Sequence, residues 1–277
     1  MRIRVLGFLV ASWLLSGETA IATETAIVAG RFYEVRGVKL YVETFGSGTP
    51  ILFLHGGLAF FDNSFGPQRD YFSSFRRVIG FDQRGHGHSP DNSEPFSYRQ
   101  MADDAAALIQ LLRVGPIDVI GHSDGANVGL LLALYHPQLV HRLVVSGANL
   151  RGNLSEQEGK RPIQEFSDGL PPNFRADYVK VAPDGAQHWL SVVEKSRRLS
   201  MTPVVVEPAE LKKLKIPVLV IAGDHDFTSL EETVELFRGL PRGQLFVVPA
   251  TGHYTFTHRP QLMNATIRAF LDEPTPP

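Results

Sequence analysis

Val119-Ile-Gly-His-Ser-Asp-Gly-Ala126 is the stretch whose reading decides the fold. An apolar, β-branched run, Ile117 to Ile120, breaks at Gly121, and a helical pattern begins at once with Asn127-Val-Gly-Leu-Leu-Leu-Ala133. Between them, Gly121-His-Ser-Asp-Gly125 fits the Gly-x-Ser-x-Gly pattern, in which a serine sits at the tip of a strand-to-helix turn. The chemistry requires the glycines. A serine there has strained backbone dihedrals, and small neighbours let strand and helix pass closely. Its hydroxyl is held out at the end of the sheet, and the helix N-terminus behind it favours negative charge on a bound molecule. The plainer reading is an ordinary turn in which Ser123 caps the helix; the rest of the chain decides between the two.

Upstream, Ile51-Leu-Phe-Leu54 and Arg77-Val-Ile-Gly-Phe-Asp82 are short apolar runs, as expected of parallel strands covered on both faces. The first ends in His55-Gly56-Gly57. The second runs into the glycine-punctuated loop Asp82-Gln-Arg-Gly-His-Gly-His-Ser-Pro90. A helix is expected around residues 65–75. Another, from about Tyr98 to Arg113, places Met101, Ala105, Leu108, Ile109 and Leu112 on one face. Still earlier, residues 31–36 and 38–44 alternate with period two around Gly37, which is a hairpin signal. Beyond the elbow helix, Val140 to Val145 is a further strand. Strands alternating with helices imply a parallel, doubly wound sheet.

The rhythm fails between 150 and 214, which is polar, proline-rich and helical only in patches such as 187–200. It is expected to be an insertion above the strand ends. The alternation resumes with Ile216-Pro-Val-Leu-Val-Ile-Ala222, a helix near 229–238, a strand at 244–248 and a last helix at 259–272. The expected division is core at 23–149, cap at 150–214, core again at 215–273 and a proline-rich tail at 274–277.

The two strands after the insertion end in groups that activate a serine. The first runs into Gly223-Asp-His-Asp226, the second into Ala250-Thr-Gly-His253. Catalytic groups in open parallel sheets gather at the carboxyl ends of strands. A serine hydroxyl is a poor nucleophile until an oriented base removes its proton. His253 would take the Ser123 proton and return it to the leaving group, with an aspartate on the other ring nitrogen. His258 competes, but His253 directly follows its strand. Spacing barely separates Asp224 from Asp226. Two backbone N–H donors are needed for the oxyanion: that of Asp124, after the serine, and one in the loop after Leu54, with Gly57 the expected donor.

With these motifs together, His55-Gly-Gly57, Asp82 to Ser89, Gly121 to Gly125, Gly223 to Asp226 and Gly252-His253, the chain resembles the α/β-hydrolase superfamily, in the branch with a cap after the sixth strand. That resemblance implies an α/β-hydrolase fold and a cofactor-free serine hydrolase working through an acyl-enzyme. It implies Asp226, three residues after the glycine, as the acid. The branch includes esterases, lactonases, C–C hydrolases, peptidases and haloperoxidase-like enzymes. The Ser-Asp pair at the elbow is similar to that of valacyclovir-hydrolase-like members. A serine in this place argues against haloalkane dehalogenases and epoxide hydrolases. Proline iminopeptidases share the His-Gly-Gly start, but Leu58-Ala59 stands here for their Pro-Gly.

Bland readings stand beside several of these residues. His86 and His88 invite a metal, but the resemblance makes theirs a turn closing against the elbow, and no metal is expected. His122 is expected on the far side of the elbow, packed or partnering a carboxylate, and Asp82 and Arg84 as loop-fixing groups. Leu58 and Phe61 are candidate substrate contacts, though Phe60, Phe61 and Phe65 are equally core candidates. Asp124 has two open roles: an acid at a helix N-terminus, or a carboxylate leaning into the pocket towards a cationic amino group. An acidic pair for a peptidase would come from Glu156, Glu158 or Glu165.

Composition trims the classes. The chain has 277 residues, 27 Lys+Arg against 29 Asp+Glu, and no charge block that points to nucleic acid. Without cysteine, thiol catalysis, disulfides and Cys-ligated zinc are excluded. Met1-Arg-Ile-Arg4, the apolar Val5 to Leu15 and Ala20-Ile-Ala22 read as a signal peptide over 1–22, cleaved to begin near Thr23. The apolar run is short for a bilayer span. The expected protein is therefore exported, periplasmic or secreted, acting on a small acyl substrate without stable membrane insertion; oligomeric state is unreadable. The most expected activity is carboxylic ester hydrolysis, with amides and lactones close to it. A proline-iminopeptidase-like peptidase and a small-ligand binding protein with little turnover are the alternatives.

Overall fold

The computed structural model describes residues 28–274; the expected leader and the end of the tail lie outside them. Eight strands form one sheet in the order β1-β2-β4-β3-β5-β6-β7-β8. The hairpin β1 (Val28–Val35) and β2 (Val38–Phe45) leads in antiparallel fashion, and β2 pairs antiparallel with β4. From there every pairing is parallel. The alternating half runs β3 (Pro50–Leu54), α1 (Phe61–Ser73), β4 (Arg77–Phe81), α2 (Tyr98–Leu112), β5 (Ile117–His122), α3 (Asp124–Tyr135) and β6 (Val140–Ser146). This is an α/β-hydrolase fold.

The local physics follows from composition. All six residues of β5 are buried, as a central strand covered on both faces demands. The elbow helix α3 is apolar nearly all round, with Val128, Leu130 and Leu132 fully enclosed, so it is a buried helix rather than an amphipathic one. By contrast α2 is amphipathic. Ser97 caps it, its side chain accepting from the Gln100 N–H, and Arg113 ends it in the left-handed region. Two apolar clusters lie on the two sides of the sheet, one centred on α2 and α3 and the other on α1 and the C-terminal helix.

After β6 the chain makes four helices, α4 (Glu156–Gly159), α5 (Ile163–Asp168), α6 (Pro172–Val181) and α7 (Trp189–Ser200), before β7 (Val218–Gly223). Then come α8 (Leu230–Gly239), β8 (Gly243–Val248), α9 (Thr255–His258) and α10 (Pro260–Asp272). A buried carboxylate pins the inserted helices to the core. Asp91, in the loop between β4 and α2, accepts from Lys195 Nζ at 2.8 and 2.7 Å and bonds His188 Nε2 at 2.7 Å.

One helix begins earlier than its periodicity suggested. α1 starts at Phe61, not near Phe65, because the side chain of Asn63 accepts from the Phe60 N–H at 3.0 Å and caps the first turn. Phe65 is non-helical (φ −132°, ψ 18°), two residues before Pro67, so the element is kinked there.

Candidate active site

Strand order places the elbow. β3 lies between β4 and β5, with Leu54 opposite Gly121, so the loops after β3 and β5 leave the sheet side by side where the strand order reverses. That is where ligands bind in doubly wound sheets. Ser123 sits at φ 55° and ψ −123°, a left-handed position that costs a non-glycine residue on the order of 1–3 kcal/mol. Its own backbone holds it there: the Ser123 N–H donates to the Ser146 carbonyl at 2.8 Å, and the Ala126 N–H donates to the Ser123 carbonyl at 2.8 Å. A Cβ at Gly121 would collide with the backbone of Gly125 and Ala126, and one at Gly125 with that of Leu54. The elbow admits only glycine at both.

His253 and Asp226 are brought together by the neighbouring strand pair. Gly223 is in register with Val248, so the loops after β7 and β8 are adjacent. Asp224 ties them: its two oxygens accept from the Ala250 N–H at 2.9 Å and the Thr251 N–H at 3.0 Å. Those two bonds lower its pKa to about 2. Asp226 Oδ1 then lies 2.9 Å from His253 Nδ1 and accepts from the Thr228 N–H at 3.0 Å. The side chain of Asp226 is fully buried and that of His253 is 7% exposed. His258 stays outside, in α9 and exposed.

Ser123, Asp124, Gly57, Leu58 and His253 all line one cavity of about 550 Å³ between the sheet edge and the inserted helices. Phe61 does not. It is 1% exposed, packed with Phe53 and Phe65 in the core under α1, so its candidacy as a substrate contact is withdrawn. The reason is the early start of α1, which turns Phe61 towards β4, where a Cβ at Gly80 would strike its ring.

Asp124, the first residue of α3, accepts from the Tyr98 hydroxyl at 2.6 Å. A Cβ at Gly57 would collide with its other oxygen, so the carboxylate lies against the loop after β3. Burial raises its pKa, against the pull of the Tyr98 bond. It is thus both a helix-end acid and a cavity wall.

His122 is packed, the first of its two expected readings, and its hydrogen bond goes to no carboxylate: its Nε2 bonds the His253 carbonyl at 2.9 Å, and it borders the cavity. Burial, aided by the neighbouring His253, drives its pKa down to about 3. Other readings need correction. The 82–90 loop closes on the loop after β3 and on α1 rather than on the elbow. Gln83 bonds His55 through both its amides at 2.9 and 2.7 Å, and Asp82 accepts from the Phe61 and His88 N–H groups, each at 2.9 Å. Arg84 makes a two-pronged pair with Asp104 at 2.6 and 2.9 Å. Of the glutamates named for an acidic pair, Glu156 pairs with Lys160, and Glu158 caps its own helix through Ser155; neither these nor Glu165 borders the cavity. The cap carboxylate that does is Asp177, which accepts from Asn63 Nδ2 at 3.2 Å. Nothing in the sequence marked it, because only the docking of α6 over α1 brings it there. Among the described residues no group of three or more His, Asp or Glu side chains is arranged to hold a metal ion.

A strained serine elbow and a buried Asp–His pair at the carboxyl edge of a doubly wound sheet define a hydrolase-type site. The chain belongs to the alpha/beta hydrolase family, whose model matches residues 51–266. It is 26% identical over 243 residues to the (E)-2-((N-methylformamido)methylene)succinate hydrolase of Acinetobacter baylyi, covering 82% of this chain and 92% of that protein. It is also 26% identical over 216 residues to the human serine hydrolase BPHL, covering 75% of this chain and 73% of that protein. Among solved structures, Est816, described as an N-acyl homoserine lactone degrading enzyme, superposes with a TM-score of 0.69 at 25% identity, covering 87% of this chain and all of that one.

Proposed function

We propose that this hydrolase cleaves a carboxylic ester, or a closely related amide or lactone, by way of an acyl-enzyme on Ser123. The observation that carries the reading is the opening of Ser123 and of the Asp226–His253 pair onto one cavity. In this reading His253 Nε2 takes the Ser123 hydroxyl proton as Oγ attacks the carbonyl carbon. Asp226 holds the Nδ1–H tautomer and stabilises the imidazolium. The oxyanion is received by the backbone N–H groups of Asp124, at the start of α3, and of Gly57, in the loop after β3. His253 returns the proton to the leaving group, and water then releases the acid.

Leu58 and Asp124 are proposed as substrate-facing walls, Leu58 for apolar acyl groups and Asp124 for a cationic amino group beside the carbonyl. The names of the two curated relatives, both hydrolases, support hydrolysis but not one bond type.

The test combines labelling with turnover. A fluorophosphonate is expected to attach at Ser123, and Ser123→Ala to lower kcat by several orders of magnitude with the fold intact. A panel of esters, amides, lactones and vinylogous C–C substrates ranks the bond types, and α-amino esters with their des-amino analogues report on Asp124. Labelling elsewhere, or an active Ser123→Ala enzyme, overturns the reading.

A further inference from the structure

Phe227 follows Asp226 directly, and 62% of it is exposed. A lone exposed phenylalanine is ordinary in itself. This one has a defined place. Its ring lies against the imidazole of His253, centroids 4.0 Å apart and planes 31° from parallel, and it borders the cavity.

The chemistry of the proposed reaction gives that place a meaning. As Ser123 Oγ bonds to the carbonyl carbon and the tetrahedral intermediate collapses, the C–O bond to the alcohol breaks. The departing oxygen takes the proton from His253 Nε2 and leaves as a neutral alcohol. That oxygen must come within hydrogen-bond reach of the imidazole, roughly 3 Å. Whatever it carries then lies beside the groups packed on His253. His122 is buried, with its ring centroid 4.8 Å away, and Asp226 is committed to Nδ1. Gly147, at φ 65°, backs the ring so closely that a Cβ there would fall 2.6 Å from Cε1. Of the aromatic groups around the imidazole, Phe227 and Tyr254 combine contact with exposure, at 62% and 40%.

The geometry points to Phe227 as the stacking platform for the leaving group, and so to esters of aromatic alcohols as the substrate class. The inference rests on the ester reading above and specifies its leaving-group side. One face of the phenyl ring is spent on His253, and an incoming aromatic ring finds the other in an offset or tilted stack. The same contact makes Phe227 a guide for the departing oxygen, since a ring seated on it is already beside the base.

The experiment measures kcat/KM for the benzyl and methyl esters of one acid, in wild type and in Phe227→Ala, Phe227→Leu and Phe227→Trp. The benzyl-to-methyl ratio is expected to fall about three- to tenfold in the alanine and leucine variants, the range set by an aromatic pair, and to return in the tryptophan variant. A series of methyl esters with different acyl groups is expected to keep its ranking in all four proteins. Equal loss on benzyl and methyl esters would make Phe227 a support for His253 only and overturn the proposal. So would a change confined to the acyl ranking. Should wild type take label at Ser123 yet cleave neither ester, the ester reading itself fails, which is a different result.

Discussion

Asp224 and Asp226 leave the same strand within one turn, yet their oxygens go to different partners. Asp224 spends both on the Ala250 and Thr251 N–H groups and fastens two loops; Asp226 is buried and reaches His253. Asp226→Asn is therefore expected to lower kcat by about 10⁴, the loss seen when a triad acid no longer selects the tautomer. Asp224→Asn should act first on stability, because its pKa near 2 reports bonds made in the fold. Depression of the folded pKa means the contribution is present above the unfolded value and lost as pH falls. Steady-state kinetics beside a thermal melt separates the two effects, and the reverse ranking would exchange the roles.

At the scale of elements, strand ends and helix seats decide what meets. The elbow between β5 and α3 was legible because Gly121, Ser123 and Gly125 fall within five consecutive residues, and the crowding that demands Gly121 comes from Gly125 and Ala126 in the same turn. The seat of the inserted helices was not, since it depends on Asp91 meeting Lys195 and His188, 104 and 97 residues further along the chain. Asp91 is 2% exposed and Lys195 16%. Removing the carboxylate leaves a mostly buried ammonium, a change that costs on the order of 3 kcal/mol. Asp91→Ala is expected to raise KM more than it lowers kcat, and to open sites of limited proteolysis between 150 and 214. Unchanged KM and an unchanged digest would mean that the cap is held by its apolar contacts alone.

For the molecule as a whole, His55, His86 and His122, three of the four buried histidines among the described residues, add to the response to acid. Burial lowers all three from 6.5, His86 to about 4 and His122 to about 3. The unfolded chain takes up protons below pH 6.5 that the fold refuses, so stability is full above that pH and falls as pH drops below it. The slope is at most about 1.4 kcal/mol per pH unit for each histidine. His88 works in the opposite sense, because its bond to Asp82 raises its pKa, and that contribution fades as pH rises. Urea melts at pH 7 and pH 5 are expected to show the net loss, and His86→Gln to flatten it; equal stability at the two values would refute it. We also propose, from the leader read over residues 1–22, that the protein is exported, which is a property of the entire chain. Mass spectrometry of protein recovered outside the cytoplasm is expected to show a start near Thr23, and an intact Met1 product retained inside would refute it.

Fold class and the convergence of Ser123, His253 and Gly57 on one edge of the sheet were determined by the sequence alone. Strand period, glycine punctuation and the residue after each strand end are local properties, and the direction of parallel strands puts every such end on one edge. Spacing could not separate Asp226 from Asp224, the family resemblance favoured Asp226, and the tertiary structure brings Asp226 to His253; only that structure decided that Phe61 belongs to the core and that Asp177 and Phe227 border the cavity. Those outcomes depend on where α1 begins, how two loops are tied, and how inserted helices dock. Each is settled by packing between segments far apart in the chain, to which no local period or spacing is sensitive.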